Sequence, residues 1–320
     1  MKEYIGVDIG GTKIAIVKGN ERGEILQKIR FLNNEGTDAA LAKIVHHVKE
    51  LGAAEAIGIS CGGPLDCDRG MILSPPNLPG WDEIPIVSLL EQESNIPAFL
   101  QNDADACALA EWKYGAGRGT RNMVFLTFGT GLGSGLILNG ALYAGSCGRA
   151  GEIGHIAMEQ EGPVGYGKAG SLEGFCSGGG IQQVAMAKAQ AMLGEGLSPS
   201  FCPTKNDFKN ITAQRVAECA RQGHTDAIEL YEDCGYMLGR GVAILLDLLN
   251  PEAVVIGSIY TRAQDLLEPS LTRALKKEAL PDSVAACRIL PAALGEQLGD
   301  IAALSVAVNG MKRRIQHESN

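Results

Sequence analysis

The sequence predicts an α/β protein built from two related domains that face each other across a cleft. Strand and helix patterns alternate along the chain, and 320 residues suit two domains of medium size. Each half also opens with a strand, a glycine turn and a second strand, at residues 4–7 and 14–17 and again at 123–128 and 136–138. Two unrelated hairpins are the alternative, but duplication is favoured because alternating helices and strands follow each hairpin.

The remaining elements follow from apolar periodicity and from breaker residues. Helices are predicted over 38–52, 104–114, 172–193, 212–222, 226–249 and 297–309, and strands over 56–60, 98–101 and 253–256. The glycine-rich segment 115–119 is the predicted hinge between domains. The predicted domains are 1–117 together with 305–320, and 118–304.

Composition limits the classes of function. The formal net charge is −9, which argues against binding to nucleic acid, because such proteins normally present a basic surface. No apolar run is long enough to span a membrane, and the first residues resemble a strand rather than a signal peptide. The nine cysteines include no C-x-x-C pair, as expected for free thiols in a reducing cytoplasm.

The first glycine turn contains Asp8, Gly10, Gly11, Thr12 and Lys13. Glycines let backbone N–H groups approach an anion without a Cβ in the way, so the turn suits phosphate. It is not a P-loop, because the order is Gly-Thr-Lys and a strand follows. Asp8 at its entrance could hold Mg²⁺ directly or through water. An ordinary tight hairpin with a capping aspartate is the alternative.

The second turn repeats this composition at Gly129, Thr130 and Gly131, followed by Leu132 and Gly133. Two such turns at equivalent points of two domains could hold one polyphosphate from both sides. The pair is therefore much more specific than either turn alone.

Asn102 and Asp103 directly follow the predicted strand 98–101. Loops at the carboxyl ends of strands line the ligand crevice in α/β domains. Asp103 is therefore placed to accept a hydroxyl proton during phosphoryl transfer. It could equally cap the helix 104–114, and the two roles are compatible.

Glu152, His155 and Glu173 add polar groups to a glycine-rich region. Their donors and acceptors suit the hydroxyl groups of a sugar. Ser60 lies in a G-x-S-x-G pattern typical of hydrolases, but that pattern must lead into a helix, and here a loop with Pro64 follows.

The chain resembles the ROK family of sugar kinases and repressors, within the actin, hexokinase and Hsp70 ATPase superfamily. The resemblance covers nearly the whole chain and implies two actin-like ATPase (ribonuclease H-like) domains. The motifs that carry it, in chain order, are 8–13, Gly62-Gly63-Pro64, Pro76-Asn77-Leu78-Pro79-Gly80-Trp81, Asn102-Asp103, 129–135, Glu152-Ile153-Gly154-His155 and Leu172-Glu173.

The resemblance implies a role for each matching residue. Asp103 looks like the general base, and the final helix should return to the N-terminal domain. Sugar ligands would be Asn77, Asn102, Glu152, His155 and Glu173. Phosphate loops would be Gly10, Gly11, Thr12 and Lys13, then Gly129, Thr130 and Gly131, with Gly257 near the adenosine part of ATP.

The chain departs from the family where many members bind a structural Zn²⁺. Val164, Tyr166 and Ser171 stand where those members have three cysteines. These side chains cannot rebuild a tetrahedral thiolate site, so we expect no zinc. His155 is the fourth zinc ligand in those members. Without the metal, either another hydrogen bond fixes its tautomer or His155 contributes less to specificity.

The expected activity is that of a cytoplasmic ATP-dependent hexose kinase using MgATP, with glucose as the first candidate substrate. Fructose, allose, mannose and N-acetylmannosamine are the alternatives, and a homodimer is expected. A sugar-responsive transcriptional regulator or a non-catalytic sugar sensor are alternatives of another class. Regulators in the family carry a DNA-binding domain before the core, and here the first core strand starts at Tyr4.

Overall fold

The computed structural model describes residues 1–318, which form two compact units. Unit 1 contains residues 1–121, 135–150 and the chain from Ala293 onward. Unit 2 contains residues 122–134 and 151–292. These bounds do not coincide with the domain bounds inferred from the sequence, which stay a prediction, as does the hinge at 115–119.

Strands and helices alternate along the chain, which confirms the predicted α/β class. The strands are β1 Glu3–Ile9, β2 Lys13–Asn20, β3 Ile25–Leu32, β4 Ile57–Cys61, β5 Leu65–Asp66, β6 Met71–Ile72, β7 Ala98–Asn102, β8 Met123–Leu126, β9 Ser134–Leu138, β10 Ala141–Leu142, β11 Val164–Gly165, β12 Lys168–Ala169, β13 Ala253–Ile256 and β14 Arg288–Pro291. The α-helices are α1 Thr37–Leu51, α2 Ile86–Ser94, α3 Asp103–Tyr114, α4 Leu172–Phe175, α5 Gly178–Gly194, α6 Ala213–Arg221, α7 Thr225–Leu249, α8 Ile259–Glu278, α9 Pro281–Ala286 and α10 Leu298–Glu318.

The sheet of unit 1 has the strand order β3-β2-β1-β4-β7. The first three strands form an antiparallel meander, whereas β1, β4 and β7 run parallel. Every residue of β4 is buried, as expected for a parallel strand covered on both faces. The parallel strands therefore end at one edge of the sheet, where loops can carry functional groups.

Helix α10 packs directly on this sheet, which confirms that the final helix returns to the N-terminal part of the chain. Glycines make this close approach possible. A Cβ added to Gly58 would lie 2.2 Å from Ala303 O and 2.3 Å from Ala307 N, and one added to Gly6 would lie 2.8 Å from Leu304 N. The backbone of α10 thus occupies the space that a side chain on β1 or β4 would fill.

Unit 2 contains the parallel strands β8, β13 and β14 in that order. Its longest helices, α7 and α8, pack closely together through glycines of α7. A Cβ on Gly235 would lie 2.2 Å from Ser270 Oγ, and one on Gly239 would lie 2.5 Å from Leu271 O.

One sequence prediction is wrong in detail, and one long helix was not predicted. The single helix predicted over 172–193 is divided into α4 and α5, because the Ser177 hydroxyl accepts a hydrogen bond from Gly180 N at 2.9 Å and caps a new helix. Helix α8 was missed, since Pro269 lies inside it and Ala263 departs from helical geometry.

Among residues 1–318, no helix is long and apolar enough to cross a membrane.

We expect Gly58→Ala to lower the free energy of unfolding by about 3 kcal/mol or more, because α10 must move to admit the methyl group. Chemical denaturation of the whole protein measures this change. Gly194→Ala is the control, since a Cβ at the end of α5 has no neighbour within 4 Å. A wild-type unfolding midpoint for Gly58→Ala would contradict the packing described for α10.

Candidate active site

The functional residues predicted for unit 1 gather where its three parallel strands end. Ile9, Cys61 and Asn102 are neighbours in the sheet register. Gly10, Gly62 and Asp103 follow them in the chain and therefore lie at the same edge. The first glycine turn and the predicted base thus belong to one local structure.

The first glycine turn is a braced hairpin between β1 and β2. Gly10 N donates to Lys13 O at 3.1 Å and closes the turn. Asn33, which the sequence did not single out, donates its side-chain amide to Gly10 O at 3.0 Å and its backbone N–H to Thr12 O at 3.0 Å. Thr12 and Lys13 themselves remain exposed and available to a ligand.

Gly11 is required by a close backbone approach. A Cβ at Gly11 would lie 2.4 Å from Asn77 O. The turn is therefore packed against the segment that carries Asn77, one of the predicted sugar ligands.

The cap of helix α3 is Asn102 rather than Asp103. Asn102 Oδ1 accepts from Ala104 N at 2.9 Å, and α3 begins at Asp103 itself. Asp103 Oδ1 also accepts from Ala104 N, at 2.8 Å. The Oδ2 atom of Asp103 is left for another partner.

Asn77, Asn102 and Asp103 surround the backbone of two glycines. A methyl group added to Gly62 would lie 3.5 Å from Asn77 Nδ2 and 3.7 Å from Asp103 Oδ2, and one added to Gly63 would lie 3.6 Å from Asn102 Nδ2. The structure therefore brings these three predicted residues together, with amide donors beside a carboxylate oxygen.

Asp8 is held among other carboxylates. Burial, then repulsion from Asp103 and Asp300, raises the pKa of Asp8 to about 6, although a hydrogen bond with Ser60 and the charge of Lys13 oppose the shift. Asp300 is itself paired with Lys28. Such crowding of oxygen ligands is suited to a hard cation such as Mg²⁺.

The pKa of Asp103 is raised because the surrounding protein displaces water, and hydrogen bonds from the N–H groups of Ala104 and of Asp103 itself oppose the shift. Asp103 is nevertheless exposed to solvent. A carboxylate that is both accessible and more basic than usual can take a proton from a bound hydroxyl.

Ser60 lies within β4 and is 1% exposed. The residues that follow it form a loop and a short strand rather than a helix. The hydrolase pattern around Ser60 therefore has the wrong structural context for a nucleophile elbow.

The second glycine turn is held by the start of α5. Gly178 N donates to Gly129 O at 2.8 Å, and Gly179 N donates to Thr130 O at 3.3 Å. Gly129 N donates to Gly131 O at 2.9 Å, so a glycine N–H closes this turn as in the first. The serine and glycines that start α5 were not recognised from sequence as parts of this site.

Glu173 contacts the same turn. Its Oε2 atom accepts from Leu132 N at 2.9 Å, and a Cβ on Gly131 would lie 2.7 Å from that oxygen. Gly154 packs between Leu132 and Glu173, since a Cβ at Gly154 would lie 2.1 Å from Leu132 O and 3.4 Å from Glu173 Cβ. The turn that bears Glu152 and His155 is thereby placed beside Glu173, and both of those side chains are exposed.

Polar contacts hold the loop 158–171. In zinc-binding members of the family, a metal is expected in this region. Arg240 pairs with Glu159 at 2.5 Å and donates to Met158 O at 3.3 Å. The Gln183 amide pairs with both backbone polar groups of Val164, at 3.0 and 2.9 Å. Lys168 Nζ donates to the backbone carbonyl of His155 at 2.8 Å, which ties this loop to the His155 backbone.

Among the described residues, a cluster of three possible metal ligands consists of His46, His47 and Glu50 on α1, whose ligand atoms lie within 4.8 Å of one another. It lies far along the chain from the positions of the family's zinc ligands. The expectation of no zinc at Val164, Tyr166 and Ser171 stays a prediction.

Unit 2 also contains a cavity of about 680 Å³ that begins at the second glycine turn. Most of its residues lie on α5, α6 and α8 and were not recognised from the sequence. They are Gly129, Thr130, Gly178, Gln182, Thr212, Ala213, Gln214, Ala217, Glu218, Arg221, Tyr231, Ser258, Ile259, Arg262 and Ala263. Gly257 directly precedes Ser258, one of the residues that line the cavity, and donates its N–H to Leu126 O at 2.9 Å.

Comparison with known proteins identifies relatives over almost the whole chain. The model of the ROK family matches residues 4–309. A glucokinase of Halalkalibacterium halodurans is 33% identical over 310 residues, which cover 93% of this chain and 92% of that protein. The DNA-binding transcriptional repressor Mlc of Escherichia coli is 30% identical over 239 residues, which cover 74% of this chain and 56% of the repressor.

Solved structures give the same result. The ROK hexokinase of Thermus thermophilus has a TM-score of 0.83 and 28% identity, covering 97% of this chain and 99% of that one. A ROK family glucokinase of Streptomyces griseus, in complex with glucose and AMPPNP, has a TM-score of 0.76 and 30% identity, covering 95% and 99%. These likenesses confirm the predicted actin-like ATPase fold.

We expect Asp8→Asn to stabilise the metal-free protein at pH 7.5 by roughly 1–3 kcal/mol. The folded protein raises the pKa of Asp8 from 3.8 to about 6, so the folded state favours the protonated form. The stabilisation that protonated Asp8 gives the folded protein is fully present below pH 3.8, and it is lost as the pH rises through about 6. The advantage of the variant should therefore shrink between pH 7.5 and pH 5.

Urea denaturation in EDTA at both pH values measures this difference. Asp68→Asn, which changes an exposed carboxylate of the same unit, should have no such effect. A less stable Asp8→Asn protein at pH 7.5 would contradict the crowding of carboxylates.

We expect Arg240→Met to loosen the loop 158–171, because the ion pair with Glu159 and the bond to Met158 O are both lost. Trypsin should then cleave after Lys168 about two to five times faster, as expected for the loss of a pair worth below 1 kcal/mol. Mass spectrometry of timed digests identifies the cut. Arg314→Met removes the Arg314–Glu318 pair of α10 and is the matched control; equal cleavage rates in both variants would refute the role of Arg240.

Proposed function

Because the chain belongs to the ROK family, we propose that it is an ATP-dependent sugar kinase that transfers the γ-phosphoryl group of MgATP to a hexose hydroxyl. Glucose is the first candidate for the acceptor. Two bodies of evidence support this proposal: the site residues of each unit, and relatives that are glucokinases or hexokinases along nearly their full lengths.

One observation carries the proposal most strongly. Asp103 combines a raised pKa with an exposed position, and its Oδ2 atom lies near the amides of Asn77 and Asn102. A sugar hydroxyl held by these amides would present its proton to that oxygen. The N–H of Ala104 holds the other carboxylate oxygen, so the base is oriented before substrate arrives.

The proposed reaction is an in-line displacement at phosphorus. Asp103 Oδ2 takes the proton as the hydroxyl oxygen forms its bond to the γ-phosphorus, and the bond from that phosphorus to the β–γ bridging oxygen breaks. The electron pair of the broken bond leaves with ADP. The proton on Asp103 passes to solvent once the sugar phosphate has gone.

The chain's own groups fit MgATP as a substrate. The cavity of about 680 Å³ in unit 2 is large enough for a nucleotide and begins at the turn formed by Gly129 and Thr130. In unit 1, Thr12 and Lys13 are exposed beside Asp8, which would hold the magnesium ion. The ion would offset the charge on the phosphate oxygens.

We propose Glu152, His155 and Glu173 as the sugar ligands of unit 2. Glu173 already uses Oε2 to accept from Leu132 N, which leaves Oε1 for a hydroxyl group. Glucose is favoured because the Halalkalibacterium halodurans relative is a glucokinase and the Streptomyces griseus structure contains glucose. Use in the cytoplasm and assembly as a homodimer belong to the same proposal.

The similarity to the repressor Mlc makes a sugar sensor the second candidate function. A sensor would bind glucose without consuming ATP. Release of ADP in the presence of glucose therefore separates the two functions.

We expect Asp103→Asn to reduce glucose-dependent ADP release by roughly 10²- to 10⁴-fold, because an amide cannot accept the proton. ADP affinity should stay within about twofold of wild type, since no nucleotide contact is altered. A coupled ADP assay and calorimetric titration of ADP measure the two quantities.

Asp282→Asn, which alters an exposed carboxylate at the start of α9, is the control and should keep wild-type turnover. If Asp103→Asn keeps most of its turnover, Asp103 is not the base. If the wild-type protein binds glucose but releases no ADP, it is a sensor.

A further inference from the structure

Helix α1 carries a cluster of side chains able to bind a metal ion: His46, His47 and Glu50. Their ligand atoms lie within 4.8 Å of one another. Residues three and four positions apart on an α-helix are neighbours one turn on, so Glu50 lies between the directions of the two imidazole rings. His46 and Glu50 are exposed, and His47 is half-buried. A cation can therefore reach the cluster from solvent.

The His47 ring is held in place by its neighbours. His47 Nδ1 lies 2.9 Å from Glu50 Oε2, and the ring lies against Phe31 with the two centroids 5.7 Å apart. The His46 ring meets the His47 ring edge-on, with centroids 5.1 Å apart. Tetrahedral zinc with bonds of about 2.0–2.1 Å places its ligand atoms about 3.3 Å apart. Rotation of the exposed His46 and Glu50 side chains therefore suffices to complete the site.

The buried face of α1 gives this cluster a rigid base. Ile44, Val48 and Leu51 are buried in the core of unit 1, alongside residues of its sheet. The three ligands thus keep their relative positions while the protein is folded and lose them when α1 unfolds. A cation that binds this cluster should therefore stabilise the folded protein.

The lysines of α1 that are nearest in the chain have carboxylate partners of their own. Lys43 Nζ pairs with Glu35 at 2.6 Å, and Lys49 Nζ pairs with Glu93 at 2.5 Å. Each lysine charge is offset at a position away from the cluster. The negative charge of Glu50 is therefore left to attract a cation beside the histidines.

The ligand types select the class of metal. Imidazole nitrogen suits Zn²⁺ and similar transition metals, whereas Mg²⁺ prefers oxygen ligands and gives up its water reluctantly. We propose that His46, His47 and Glu50 bind one Zn²⁺ ion or a similar divalent transition cation, with water completing its coordination. The site belongs to unit 1, whereas the loop 158–171 belongs to unit 2. It does not depend on the proposed kinase function.

Calorimetric titration of the EDTA-treated, full-length protein with zinc chloride at pH 7.5 tests the site. We expect one zinc ion to bind each chain at this cluster, and excess magnesium chloride should not displace it. His46→Ala and Glu50→Gln should each weaken zinc binding at least about tenfold, because loss of even an outer-shell partner of a metal ligand has an effect of that size. The double variant His46→Ala/His47→Ala should abolish binding at the cluster.

Three other variants show whether zinc binds elsewhere. His224→Ala changes an exposed histidine at the start of α7 and is the matched control. His155→Ala removes the histidine at the family's zinc position, and Cys147→Ser removes an exposed thiol. All three variants should bind zinc with an affinity within about twofold of wild type, because none of them changes a ligand of the α1 site.

Thermal unfolding supplies a second readout. Zinc should raise the unfolding midpoint of the wild-type protein, because the ligands are assembled only while α1 is helical. It should raise the midpoint much less in His46→Ala. Without zinc, His46→Ala should unfold near the wild-type midpoint, since His46 is exposed. Loss of zinc binding in this variant is then distinct from loss of the fold.

Four outcomes would overturn the inference. The first is equal zinc affinity in the wild type and the double variant His46→Ala/His47→Ala. The second is displacement of zinc by excess magnesium, and the third is absence of zinc binding by the wild type. The fourth is loss of zinc binding in His155→Ala or Cys147→Ser with wild-type binding in His46→Ala, which would locate the metal outside α1.

Discussion

The carboxylates of Asp8 and Asp103 lie at one edge of a parallel sheet, and much of unit 1 depends on keeping them there. Strands β1, β4 and β7 end in register at this edge, and α10 lies against their buried face through the glycines at positions 6 and 58. Burial and repulsion then raise the pKa of Asp8 to about 6. Unit 1 thus tolerates an unfavourable cluster of negative charge. In the proposed function, a metal-bound phosphate and an acceptor hydroxyl would bind at this position.

The two glycine turns are braced by comparable but not identical contacts. A glycine N–H closes each turn, at Gly10 and at Gly129, and a neighbouring segment fixes its carbonyl groups. In unit 1 the fixing group is Asn33, and in unit 2 it is the start of α5. The Gly10 N–H bonds to the carbonyl of Lys13, three residues on, whereas the Gly129 N–H bonds to the carbonyl of Gly131, two residues on. The two turns therefore share their composition but not their hydrogen-bond geometry.

The sequence predicted those features that depend on local chemistry. The turn after β1 was recognisable because consecutive glycines interrupt two apolar strands, and Asp103 because it follows a strand directly. The cap of α3 was not resolved, since Asn102 and Asp103 are both good caps and only the backbone geometry selects Asn102. The cavity of unit 2 was missed for a different reason: Gln182, Arg221 and Arg262 come from three helices, and their proximity depends on tertiary packing. The support of the loop by Arg240 has the same origin, because its partner lies 81 residues away in the chain.

A kinase that transfers a phosphoryl group to a sugar must produce a sugar phosphate, and detection of that product is the decisive measurement. Phosphorus NMR of the wild-type protein with MgATP and each sugar of a panel containing glucose, fructose, mannose, allose and N-acetylmannosamine would follow ATP, ADP and sugar phosphate in one sample. We expect a sugar phosphate signal, strongest with glucose, that grows in equal amount with ADP and is absent without sugar. Unchanged ATP with every sugar, in a sample that binds glucose, would contradict it.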